Sequence, residues 1–173
     1  LTTAPGEKQS KVNHCGIMVS ESAIRLAMAV EASVRVKKHT LYYEYAGEKD
    51  SVCIARPKVS DAVRYRLAIA ADKMVGGPYG WFELPLHAID HVASRMVGHD
   101  VVFARSIVDQ KRSVICSGLV GKVYFDICGW KFCNQVPKAC QPDDVWDDWY
   151  DRVRGHPDRW DIIYTLKRIP KEE

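Results

Sequence analysis

Apolar residues in the first third of the chain fall in short runs separated by polar breaks, the pattern of strands rather than helices. Residues 12–19 (Val-Asn-His-Cys-Gly-Ile-Met-Val) make one run. After a turn at Ser20-Glu-Ser22, a second run goes through Met28 to Ala32. The β-branched and aromatic residues at 34–36 and 40–45 predict two more strands. Turn residues at 47–50 precede a further strand over 51–56, ended by Pro57. This portion reads as an antiparallel meander.

The period changes at Ser60. Val63, Leu67, Ala70, Ala71 and Met74 share one helical face, and Gly76-Gly77-Pro78 stops that helix. An aromatic loop at Tyr79-Gly-Trp-Phe82 leads into a helix over 84–97, with Pro85 near its first turn and Gly98 at its end. Residues 99–112 fit neither period. Beyond them, Leu119, Val120, Val123, Tyr124 and Ile127 have helical spacing behind Cys116, and Ser113 is the expected cap. A loop over 129–141, a short helix opened by Pro142-Asp-Asp144 and a returning strand over 160–168 complete the chain. Strands first, then helices, then a final strand predict an α+β domain.

Composition narrows this picture only slightly. The 173 residues suffice for one domain with a real core, and 47 % hydrophobic with 27 % charged residues is an ordinary globular mix. Residues 1–11 read as a loose polar tail and 12–169 as the single domain. A net charge of +3 is too small for a nucleic-acid stripe, although its sign suits an acidic polymer such as a cell wall. Residues 23–30, the longest apolar run near the start, contain Arg25 and are too short to span a bilayer, and no signal peptide is expected in this chain. Cys128, Cys133 and Cys140 lack the Cys-x-x-Cys pairs of a zinc site, whereas a disulfide within that loop suits an oxidising compartment.

The candidate chemistry centres on Cys116. A cysteine in a first helical turn lies at the positive end of the macrodipole, which favours thiolate over thiol, and Gly118 permits close approach of another chain. The competing reading is an inert cysteine buried in the core. A nucleophilic cysteine needs a base within hydrogen-bond reach and a group to orient that base. His39, His87, His91, His99 and His156 occupy polar positions and read as surface residues. His14 differs, standing in the apolar first run beside Cys15 and Gly16. Glu31 stands in the apolar frame Met28-Ala-Val-Glu-Ala, where a carboxylate needs a partner or an outward face. Strand alternation predicts that Cys15 points away from the side His14 faces.

Taken in order, Asn13-His-Cys-Gly-Ile-Met-Val19, Val30-Glu-Ala32, Arg56-Pro57, Gly77-Pro-Tyr-Gly-Trp81, Ile115-Cys-Ser-Gly-Leu-Val120 and Pro142-Asp-Asp144 resemble the NlpC-type cysteine peptidases of the papain-like superfamily. The histidine strand precedes the cysteine helix, which resembles the circularly permuted branch. The likeness covers residues 12–145. Two positions depart from the family's pattern: Ile115 stands where an Asp is usual, and Cys15 where an aliphatic is usual.

The resemblance implies a papain-like permuted fold, an antiparallel sheet or half-barrel packed on helices, and a Cys116–His14–Glu31 triad. Cys116 would attack an amide carbonyl, His14 would carry its proton to the leaving amine, and Glu31 would orient the ring. The Cys116 amide would donate to the oxyanion, with Tyr79, Trp81 and Ser117 at the substrate and oxyanion positions. No metal or organic cofactor is implied. The family's usual substrate is a peptide or amide bond of a peptidoglycan stem peptide. That substrate would suit a phage lysin, or a secreted antibacterial effector with an immunity protein, acting in the periplasm or cell wall. Two alternatives stay open: a lipid-directed thiol acyltransferase or hydrolase of the same branch, and a non-catalytic binding domain on this scaffold.

Overall fold

The computed structural model describes residues 12, 14–20, 26–45, 52–80, 89, 92–93, 96–98, 114–150 and 155–166. Strands β1 (Gly16–Met18), β2 (Met28–Ala32) and β3 (Val36–Thr40) form an antiparallel sheet in that order. β4 (Val52–Pro57) pairs antiparallel with β5 (Trp160–Leu166) in a second, two-stranded sheet with an irregularity at Ile54/Ala55. The helices are α1 (Leu41–Tyr45), α2 (Asp61–Asp72), α3 (Cys116–Cys128) and α4 (Pro142–Tyr150). The protein is thus mixed α+β, with two small antiparallel sheets among the described residues.

The central strand β2 is buried on both faces. Val30 and Ala32 join Ile17 and Val36 in the main core, which continues through Leu67 and Ala71 of α2 and Leu119, Val120 and Val123 of α3. Ala29 faces the other way, into a smaller cluster with Ala27 and Leu41. Glu31 is on this second face, because alternate residues of a strand share a side.

Three elements differ from expectation. Thr40 ends β3, which runs over 36–40 rather than 34–36, and residues 41–45 form a helix rather than a strand. The Tyr43 amide donates to Thr40 Oγ1 (3.2 Å), a capping contact, and the Leu41 amide donates to the Ala27 carbonyl (2.9 Å), so the chain leaves the ladder and folds back. β1 begins at Gly16, not at Val12. Its partner β2 ends at Ala32, where the chain bends through Ser33 and Val34, so His14 and Cys15 precede the ladder. Finally, Ile115 in extended conformation (φ −86°, ψ 170°) is the N-cap of α3 and makes no side-chain capping bond; the expected cap, Ser113, lies outside the described residues.

Other expectations correspond. Ser60 caps α2, its hydroxyl accepting from the Val63 amide at 3.4 Å. Beyond α2, the Gly76 amide donates to Val36 O (2.8 Å) and the Val36 amide to Gly77 O (2.9 Å), which fastens this segment along the edge of β3. Gly129, in the left-handed region (φ 69°), ends α3. The described residues of the expected 84–97 helix are helical up to the turn at Gly98, while the tail at 1–11 lies outside the described residues. No helix among the described residues is long and apolar enough to cross a membrane.

The far end of the core is aromatic. Tyr124, Trp130, Phe132 and Trp160 pack ring against ring with centroids 5.4–6.1 Å apart. Beneath them Asp148, fully buried, accepts from Trp160 Nε1 (2.9 Å) and His156 Nδ1 (3.0 Å), joining α4 to the start of β5. His156 is therefore engaged with a buried carboxylate rather than free on the surface.

Candidate active site

Gly16 is where the site begins. It lies directly opposite Glu31 across the β1–β2 ladder, and a Cβ at this position would collide with the Glu31 Cγ and lie 2.9 Å from the Val30 carbonyl. The absent side chain leaves the space that the glutamate occupies. Glu31 can therefore reach along β1 to His14, two residues earlier, and its Oε2 sits 3.1 Å from His14 Nε2.

The same oxygen takes two further contacts. His39 Nε2, from β3, is 3.1 Å away, and the Tyr45 hydroxyl donates at 2.7 Å. Tyr45 reaches it only because α1 turns back over the sheet. A buried carboxylate needs such partners to remain charged. Burial pushes the Glu31 carboxyl upward, but the bonds from His14 and Tyr45 and the charges of both histidines outweigh it and hold the group below its ordinary range. Burial and the glutamate's charge push the Tyr45 phenol well upward, so it stays a donor. Neither His39, which reads from sequence as a surface residue, nor Tyr45 is singled out by the sequence. Each depends on a register or a fold-back that pattern alone does not reveal.

The imidazole of His14 meets the sulfur of Cys116. With Nε2 on Glu31, Nδ1 is the nitrogen left for that hydrogen bond. Burial disfavours a charge on His14, yet the bonds to Cys116 and Glu31 and their negative charges prevail, and the ring is raised to about 10. Cys116 moves the opposite way, down to about 4: the Cys15 thiol bonded to its sulfur is the largest influence, burial opposes it, and the bond and charge of His14 and the Cys15 backbone N–H add to the fall. The pair is a thiolate and an imidazolium around neutral pH. Cys116 is 7 % exposed and the His14 side chain 31 %, so the ring is the more open member.

Cys15 is the main correction at the site. Alternation would turn it away, but it precedes the ladder and alternation does not govern it. Its thiol and its amide both face the Cys116 sulfur. That bond first, and burial second, push the Cys15 thiol well up, which keeps it a protonated donor.

The remaining candidates are placed as follows. Tyr79 forms an isolated parallel bridge with Val114, and the Gly80 amide donates to Val114 O (3.1 Å), so the segment after α2 runs beside the entrance of α3. Ser117 is fully buried and its hydroxyl donates to the Cys140 carbonyl (2.7 Å), which commits that side chain to joining helix and loop rather than to a substrate. Trp81, with His87, His91 and His99, lies outside the described residues. Gly121 fits against Pro137 and Cys140, where an added Cβ would stand 3.3 Å from each. All six cysteines are free thiols, so the loop from Cys128 to Cys140 holds no disulfide. Among the described residues no cluster of three or more His, Cys, Asp or Glu is arranged to hold a metal ion.

Comparison with family models, curated proteins and solved structures finds no match to the chain.

Proposed function

We propose that the protein is a cysteine hydrolase of amide bonds, built on a circularly permuted NlpC-like, papain-like scaffold. The observation that carries this reading is the chain of contacts from the Cys116 sulfur through the His14 ring to Glu31 Oε2. A structural cysteine has no need of such a chain. Buried without a cation beside it its thiol would be pushed up, as that of Cys140 is.

In this mechanism the Cys116 thiolate adds to the carbonyl carbon of the amide. The resulting oxyanion lies near the first turn of α3, where amides have no acceptor within the helix and the Cys116 N–H can donate. As the C–N bond breaks, His14 gives its Nδ1 proton to the leaving amine. Water then attacks the thioester, His14 takes up the proton, and the acid is released. Glu31 keeps the ring in one orientation and stabilises its charge throughout. Tyr79 lies beside the entrance of α3 through its bridge to Val114, and Trp81 follows it in sequence.

Peptidoglycan stem peptides are the proposed substrate, and the cell wall or periplasm the proposed place of action. A phage lysin and a delivered antibacterial effector both fit, the latter with an immunity protein as partner. The test is incubation of the purified protein with peptidoglycan, followed by mass analysis of the released fragments. A new free amine at a stem-peptide bond, lost in a folded Cys116→Ala variant, is the expected result. Fatty acid released from phospholipid would move the substrate to lipids, and neither product from either material would leave a binding domain.

A further inference from the structure

Three donors meet at one oxygen of Glu31. Oε2 lies 3.1 Å from His14 Nε2 and 3.1 Å from His39 Nε2, and it accepts from the Tyr45 hydroxyl at 2.7 Å. A charged carboxylate can only accept, so each of these nitrogens carries a proton, and one oxygen offers about two lone-pair sites for the three donors. His39 and Tyr45 therefore compete with His14 for the charge that orients its ring.

The β2–β3 register brings the second histidine there. Lys37 stands directly opposite Glu31, and His39 stands two residues on, opposite Ala29, so both share the face of the sheet that carries the glutamate. Lys37 would be the simpler partner for a carboxylate, yet its Nζ bonds to Glu44 Oε1 of α1 at 2.6 Å. The Glu31 oxygen goes to His39 instead. A tie between β2 and β3 needs some bond to the carboxylate; it does not need the oxygen that His14 uses. The His39 ring is held on several sides. Its Nδ1 is 3.3 Å from the Thr40 carbonyl and 4.0 Å from Glu44 Oε2, and the Tyr45 ring lies against it, centroids 6.3 Å apart and planes tilted by 58°. Its side chain is 9 % exposed against 31 % for His14, which places His39 to act on Glu31 and not on a substrate.

The geometry assigns His39 as a positioning residue of the proposed hydrolase: with Tyr45 it fixes Glu31 Oε2 beside His14 and takes up part of its charge, so that His14 is oriented yet still free to give its proton to the leaving amine. The proposal rests on His14 being the general acid of that hydrolase. A donor that disperses the charge of a carboxylate lowers that oxygen's pull on a neighbouring proton, and an acid gripped less strongly gives its proton sooner. The other charged or titratable groups facing the cluster are the Lys37–Glu44 pair of β3 and α1 and the sulfurs of Cys116 and Cys15.

The test compares the intact protein with His39→Leu, which removes the donor, and His39→Gln, whose amide can still donate to Oε2. With isotope-labelled histidine, the His14 Nε2–H is followed by NMR at neutral pH, and amine release from peptidoglycan is measured across pH. In His39→Leu the His14 bond to Oε2 strengthens, so its proton signal should move to lower field and the alkaline limb of activity upward by about half a pH unit or more. At neutral pH kcat should fall about tenfold, with KM unchanged within about twofold. His39→Gln should restore kcat and return the signal toward wild type. Should His39→Leu fail to fold, Tyr45→Phe removes the other competing donor and is expected to shift the same signal and the same limb in the same direction. A His14 signal that stays in place or moves to higher field, or a limb that moves down, overturns the proposal, because a merely structural role would let the carboxylate drift from the ring. Absence of amine release by the wild type, with the His14 signal shifting as expected, would instead overturn the hydrolase reading, so the two failures are distinct.

Discussion

The sulfur and the ring set the pH window of the protein. Cys116 is ionised above about 4 and His14 protonated below about 10, so the competent ion pair exists between these values. The kcat/KM profile of the proposed hydrolase is expected to be a bell with limbs near them, belonging to the pair jointly. The sign for stability follows from the ordinary values of 9.0 and 6.5. The depressed thiol stabilises the fold fully above its unfolded value and loses that contribution as pH falls through about 4, while the raised imidazole contributes fully below 6.5 and loses it as pH rises through about 10. Glu31→Gln removes the charge beside His14, so the alkaline limb should move down and kcat should drop roughly 10²-fold or more, measured on the released amine. An unmoved alkaline limb would show that Glu31 does not hold the ring's charge. Cys116, His14 and Glu31 were legible in the sequence because each departs from its local pattern: a cysteine opening a helix, and polar side chains inside apolar runs. Cys15 departs from expectation because alternation holds only within the ladder that begins at Gly16, and Cys15 lies just before it.

At the level of elements, β1 and α1 matter for what they make room for. Gly16→Ala places a methyl where the Glu31 Cγ now lies, next to the rigid Val30 carbonyl. We expect a loss of about 1–3 kcal/mol in denaturant unfolding, the usual range for overpacking, together with a lowered alkaline limb as the carboxylate is displaced from His14. An unchanged profile in a folded Gly16→Ala protein would mean that Glu31 reaches the ring by another path. Tyr45→Phe keeps α1 but deletes one donor to Oε2. It should cost about 1.5–3 kcal/mol, as hydrogen bonds to charged groups do, with circular dichroism unchanged. Reading α1 as a strand was the main error at this scale. Leu-Tyr-Tyr-Glu-Tyr has the aromatic content of a strand, and only the Thr40 cap and the burial of Leu41 against Ala27 and Ala29 turn it into a helix. Tertiary packing decided the outcome over propensity.

Across the whole molecule, the α+β order and the nearness of the first strand to the cysteine helix were visible in the sequence, whereas the division into two sheets was not. Strands far apart in sequence choose their partners by packing, and nothing in the 52–57 and 160–166 segments names the other. Asp148 shows how the second sheet is tied in. Replacing it by Ala leaves Trp160 Nε1 without its partner beneath the aromatic cluster, and thermal or denaturant unfolding should register a loss of about 3 kcal/mol. Alkylation of Cys116 should persist in that variant below its melting point; its disappearance would place the two ends of the core in closer dependence than their separate contacts imply.

The protein contains the same motif twice: an imidazole and an aromatic donor converge on a sunken carboxylate at Glu31 and again at Asp148. His14 and His156 have similar side-chain exposure, 31 % and 35 %. The first also has the Cys116 sulfur on its far side. The second is a built-in contrast within one polypeptide: a carbethoxylating reagent acylates only a neutral ring nitrogen, so at neutral pH the charge on His14, not its depth, should shield it from modification.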